Sequence, residues 1–201
     1  MDIILERKIK INGVRNGVLL GIVYSLIQIF YFYYITRMAG SAFLLISGRV
    51  IFPLLLPILS VIYFCLDSRK RNGGFWTFKQ ATTGIFIMLC IAYIVYLLGV
   101  NLLFNKVIEP NNIQKTEAAI ISKKTAIMKQ NGVDQKNIDA AIADTKKDFG
   151  ENKPATALNI IFQNAMAIIF LFVIAVLFAS MIRNAEYVSV ADQNNRQPVD
   201  R

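Results

Sequence analysis

Cys65, Cys90, Asp67 and Glu109 are the side chains in or beside the long apolar stretches that could serve a reaction. A thiol pair could act as nucleophile or redox couple. Both cysteines fall inside apolar runs, however, and Cys90 lies about 13 Å along a helix from the turn near Cys65, beyond disulfide reach. They read as two small buried hydrophobes. Asp67 and Glu109 are lone acids at the ends of apolar runs, so neither has a neighbouring carboxylate to perturb it. The chain contains no histidine, which removes the commonest general base and metal ligand. Gly73-Gly74 is a turn and does not cradle phosphate, and no paired nucleophile is present. The expectation is a non-enzymatic protein with no catalytic residue, cofactor or metal site.

The elements that carry these residues are apolar blocks. Hydrophobic residues make up 55% of the chain, above the 45–50% of roughly average soluble domains, and the excess is concentrated in four runs. The net charge of +9 arises from 22 Lys and Arg against 13 Asp and Glu. Those cations gather at the ends of apolar runs, where anionic headgroups explain them better than nucleic acid does. Base-reading motifs are missing as well.

The chain is organised around Arg69-Lys70-Arg71-Asn72-Gly73-Gly74-Phe75-Trp76-Thr77-Phe78-Lys79. Three cations end one apolar run, two glycines reverse the backbone, and Phe75, Trp76 and Phe78 favour the headgroup layer while Lys79 snorkels. The pattern predicts an all-α integral membrane protein with four transmembrane helices and an extramembrane helical hairpin between the third and fourth. The boundaries read as a cytoplasmic segment at 1–13, spans at 14–36, 44–66, 81–104 and 157–182, a basic and aromatic turn at 67–80, a hairpin at 105–156, and a tail at 183–201 with a disordered end. Each span approaches or exceeds the ~20 apolar residues that a bilayer requires.

Along the first helix Gly13, Gly17, Gly21 and Ser25 recur every fourth residue, a small-residue stripe offset by about 40° per step. Another backbone can approach it closely. That backbone belongs either to this chain's own helices or to a dimer or partner helix. The aromatic run Phe30-Tyr31-Phe32-Tyr33-Tyr34 reads as an interfacial belt. Pro53 and Pro57 predict a kink or loosened turn in the second span.

Between the third and fourth runs, nine lysines and seven acids are interleaved with isoleucines at helical spacing. Gly132 stops a first amphipathic helix, and Asp134 caps a second, with Val133 and Ile138 placed as a staple. Ile120, Ile127, Ile138 and Ile142 form the apolar face of this hairpin, offered as a groove or ridge for a partner.

Orientation rests on the distribution of Lys and Arg. Each side carries eleven, so totals do not decide; the turn at 67–80 packs four into 14 residues, whereas the long loop spreads nine among seven acids. Density therefore places the termini and that turn in the cytoplasm.

Two segments resemble a family of small bacterial inner-membrane proteins with four spans and a domain of unknown function. One is Gly73-Gly74-Phe75-Trp76-Thr77-Phe78-Lys79-Gln80-Ala81, leading into the third span. The other runs from Gln130-Asn131-Gly132-Val133-Asp134 through Thr145-Lys146-Lys147-Asp148-Phe149. The similarity covers roughly residues 10–185. The chain departs from the family's pattern at Trp76, where an aliphatic residue is usual, and in the run Asp67-Ser68-Arg69-Lys70-Arg71. The resemblance implies the bacterial inner membrane and the four-span fold, and it implies no activity.

Two functions then compete. One is an accessory or scaffold protein whose partners are the bilayer and either a second copy or another membrane protein, with no nucleic acid involved. The other is a small oligomeric transporter or channel, with Gln28, Pro53, Pro57, Asn101 and Gln163 lining a polar path.

Overall fold

The computed structural model describes residues 3–74, 76–150 and 157–182. Phe75 and the expected disordered tail lie outside the described residues. The elements are α1 (Ile3–Tyr33), α2 (Ala42–Val50), α3 (Leu56–Arg71), α4 (Phe78–Tyr96), α5 (Asn112–Gln130), α6 (Gln135–Gly150) and α7 (Ala157–Ile182), and among the described residues there is no strand. Three π-helical stretches, Tyr34–Met38, Ile51–Leu55 and Leu97–Ile108, extend α1, join α2 to α3, and extend α4. Among the described residues four helical segments are long and apolar enough to cross a membrane: Leu5–Met38, Ala42–Arg71, Phe78–Ile108 and Leu158–Ile182. The described residues are all-helical, and their four apolar helices make the chain a multi-pass membrane protein in contact with the bilayer.

The helix ends follow from local sequence. Gly73 and Gly74 take φ values of 95° and 84°, a region that side-chain-bearing residues avoid. The Gly74 N–H donates to the Arg69 carbonyl at 3.0 Å and closes the end of α3. Thr77 and Gln80 then form a reciprocal capping box at the start of α4: the Gln80 N–H donates to Thr77 Oγ1 and the Thr77 N–H to Gln80 Oε1. Pro53 falls within the π-helical turn between α2 and α3, and Pro57 at the start of α3. Gly132, with φ of 69°, ends α5, and the Val133 N–H reaches back to the Met128 carbonyl.

The described residues divide into two compact units, one drawn from 3–21, 60–93 and 166–182, the other from 22–59, 94–150 and 157–165. In the first, Ile9, Leu20, Ile85, Met88 and Ala92 are buried where α1 meets α4, and Phe86 packs edge-on against Phe172 of α7. In the second, the aromatic run at the end of α1 meets two further rings. Phe32 and Tyr33 pack on Phe104, while Phe30, Tyr31 and Tyr34 surround Phe52. Of the expected interfacial belt, Phe32 is buried, Tyr31, Tyr33 and Tyr34 are half-buried and Phe30 is exposed, with Phe52 and Phe104 giving these rings aromatic partners.

Candidate functional site

Two polar constructions stand out within this apolar fold, one in each unit. In the first unit, Asn16 of α1 is 1% exposed and faces α3. Its Nδ2 donates to Ser68 Oγ at 2.8 Å, to Asp67 Oδ2 at 3.0 Å and to the Phe64 carbonyl at 3.4 Å. Asp67 in turn accepts 2.6 Å from Arg71 Nε, and Asn12 Nδ2 donates to Asn72 Oδ1 at 2.7 Å. A buried amide is costly without partners, and this seam supplies them. Sequence reasoning missed Asn16, which faces α3 while its neighbours Gly13 and Gly17 face α4.

The small-residue stripe has a clear structural role. A Cβ on Gly17 would lie 2.6 Å from the Met88 carbonyl oxygen and 2.7 Å from Ile91 Cβ, and one on Gly13 would lie 3.0 Å from the Gly84 carbonyl oxygen. In the second unit Ser25 is as close to Gly99, whose added Cβ would meet Ser25 Oγ at 2.8 Å. Gly21 is buried. The stripe is thus taken up by the chain's own third span at Gly13, Gly17 and Ser25, which removes those positions from any dimer or partner-helix face.

Trp76 also differs from expectation. It is 2% exposed and packs over Gly84, whose missing side chain leaves room for the indole: an added Cβ would lie 3.2 Å from Trp76 Cζ2. Burial against α4 wins over the headgroup layer. Of the other anchor residues, Lys70, Arg71, Phe78 and Lys79 are exposed, whereas Arg69 is drawn inward. Its guanidinium donates to the Gly74 carbonyl at 2.9 Å and to the Ile182 carbonyl at 3.4 Å, closing the end of α7.

The second unit contains a cavity of about 190 Å³ lined by Gln28, Tyr31, Phe32, Ile35, Val100, Phe104, Asn105, Asn112 and Thr116. Its polar wall is neutral. Asn112 Nδ2 donates to Asn105 Oδ1 at 2.6 Å, and Gln28 Nε2 reaches Tyr24 Oη at 3.5 Å. Of the other path residues, Asn101 accepts from Asn105 at 3.4 Å, while Gln163 is exposed on α7. Neither lines the cavity.

Charged contacts fasten α5 in place. Glu109 Oε2 accepts from Lys115 Nζ at 2.5 Å and Oε1 from the Tyr33 hydroxyl at 3.4 Å, while Arg37 stacks 5.1 Å from the Tyr33 ring centroid. The Lys115 hydrogen bond, aided by its charge, by Tyr33 and by Arg37, holds the Glu109 carboxyl below its ordinary range against the opposing effect of burial. Lys123 donates its ammonium to the Ile35 carbonyl within the π-helical end of α1. A helix end leaves such carbonyls without backbone donors and is electronegative, so a cation is favoured there. Burial pulls the Lys123 ammonium below its ordinary range.

The α5 and α6 faces are only partly available. Ile120 and Ile138 are buried, at 8% and 1% exposure, whereas Ile127 and Ile142 are half-buried. Ile120 and Ile138 therefore serve packing and do not form a ridge for a partner, because two short helices need those side chains to cohere. Lys124 Nζ adds a 3.3 Å bond to Thr145 Oγ1 of α6.

Residues 15–184 match the family described as "Protein of unknown function (DUF4199)", and the chain belongs to that family. No curated protein and no solved structure matches the chain.

Proposed function

We propose that this chain is a non-enzymatic accessory or scaffold protein of the bacterial inner membrane, with cytoplasmic termini and with α5 and α6 forming a hairpin outside the membrane. The observation that carries this reading is the fastening of α5 by Lys123 and Lys115, which gives the hairpin a fixed base. Above it, Lys129, Lys136, Asp139, Lys146, Lys147 and Asp148 are exposed. A mixed-charge platform of this kind favours a polar protein surface as its partner, through electrostatic complementarity. The glycine stripe no longer contributes to this reading. The spans contribute through α7, where Ile161, Phe162, Phe170 and Met181 are 64–78% exposed, leaving its surface open to lipid or to another helix.

The test is purification from native membranes in mild detergent of the chain tagged at Arg201, followed by sizing and mass spectrometry. A stoichiometric partner, lost when Lys146 and Lys147 are changed to Glu, is the expected result. A solitary chain in every mild detergent would overturn the proposal. The neutral cavity lined by Gln28, Asn105 and Asn112 favours a second reading, a small oligomeric transporter of uncharged polar solutes. Proteoliposomes that accumulate no labelled solute above background would dismiss it.

A further inference from the structure

We infer that the groove between α2 and α5 binds one acyl chain of an anionic phospholipid from the bilayer, with Arg49 and Lys124 holding the headgroup. The groove has a volume of about 250 Å³, and its walls are Ala42, Leu45 and Ile46 of α2 with Ile120, Ile127 and Met128 of α5. Arg49 and Lys124 complete the lining. Every other lining side chain is apolar, so the floor suits hydrocarbon.

Charge and position together choose the occupant. Among the described residues neither cation forms an ion pair with a carboxylate. Arg49 lies beside the Tyr31 hydroxyl and Lys124 donates to the Thr145 hydroxyl, so both charges remain uncompensated by acids. A phosphodiester would neutralise them through charge-assisted hydrogen bonds. The groove also sits where a candidate span begins, at Ala42. On the same helix Phe43 and Ile46 are 77% and 66% exposed, an apolar surface beside the groove that suits bilayer hydrocarbon. An acyl chain can therefore enter sideways between α2 and α5 while its headgroup meets the two cations. A neutral-headgroup lipid would fill the floor and leave the cations unanswered.

The experiment is native mass spectrometry of the full chain in mild detergent, titrated with phosphatidylglycerol or with phosphatidylcholine. The wild type is expected to retain one phosphatidylglycerol per chain in clear preference to phosphatidylcholine. Arg49→Gln with Lys124→Gln should weaken that retention roughly thirtyfold, at about fivefold per cation. Ile127→Trp, which fills the groove and keeps both charges, should also abolish the single retained lipid. The Trp variant keeps the test decisive if the double variant fails to fold. Equal retention of the two lipids, unchanged retention in either folded variant, or a chain that dimerises through this face with no lipid bound would overturn the inference.

Discussion

Gly17 and Trp76 are the residues on which the first unit turns. Alanine ordinarily raises helix stability over glycine by up to ~1 kcal/mol, but at position 17 the added carbon would sit 2.6 Å from a backbone oxygen, which cannot swing away. Overpacking of this kind costs about 1–3 kcal/mol, so Gly17→Ala is expected to lower the melting temperature in detergent, and Gly17→Leu to prevent folding. A melting temperature raised by Gly17→Ala would show the helices apart. For Trp76, truncation to alanine removes a buried ring and should cost about 3–5 kcal/mol. A side chain resting in headgroups would cost far less, so a chemical-denaturation midpoint for Trp76→Ala separates the two placements.

At the scale of elements, the fastening of α5 and α6 can be loosened without touching the spans. Lys123→Met keeps the side chain's length and removes its donor, leaving the Ile35 carbonyl unanswered at about 1–3 kcal/mol. Hydrogen exchange is expected to accelerate across residues 112–150 and to stay unchanged in α4. Glu109 supplies a pH dependence of known sign. Its folded-state pKa lies below its ordinary value because Lys115 donates to it. The unfolded chain therefore takes up the proton first, and the stabilisation is full above the ordinary value near 4.3 and lost as pH falls through the folded value. The melting temperatures of wild type and Glu109→Gln should differ at neutral pH and converge in acid; a constant gap would deny the pair its role. The glycine turns were open to sequence reading, since Gly73-Gly74 and Gly132 each announce a backbone need, whereas the Thr77 and Gln80 cap emerged only in the structure. The π-helical stretches were not, since apolar periodicity barely separates five-residue from four-residue bonding.

For the molecule as a whole, the four spans were legible because hydrocarbon imposes length and apolarity on each segment independently of its neighbours. The polar seams were hidden because their partners meet only after packing: Asn16 reaches Ser68 across 52 positions, and Lys123 reaches Ile35 across 88. Orientation belongs to this scale too. In a background lacking Cys65 and Cys90, a cysteine at Gln130 should react with an impermeant maleimide added to spheroplasts, and one at Lys70 only after lysis; the reverse pattern would invert the topology. The same long separation between Lys123 and Ile35 sets a schedule for biogenesis. At ribosomal rates of about 5–20 residues per second, 88 residues take roughly 4–18 s to emerge. Throughout that interval the end of the first span is already made and its clasp is not. The newly inserted helix must hold its place on hydropathy alone, and a ribosome stalled before Lys123 would leave an inserted but unlatched intermediate exposed to membrane proteases.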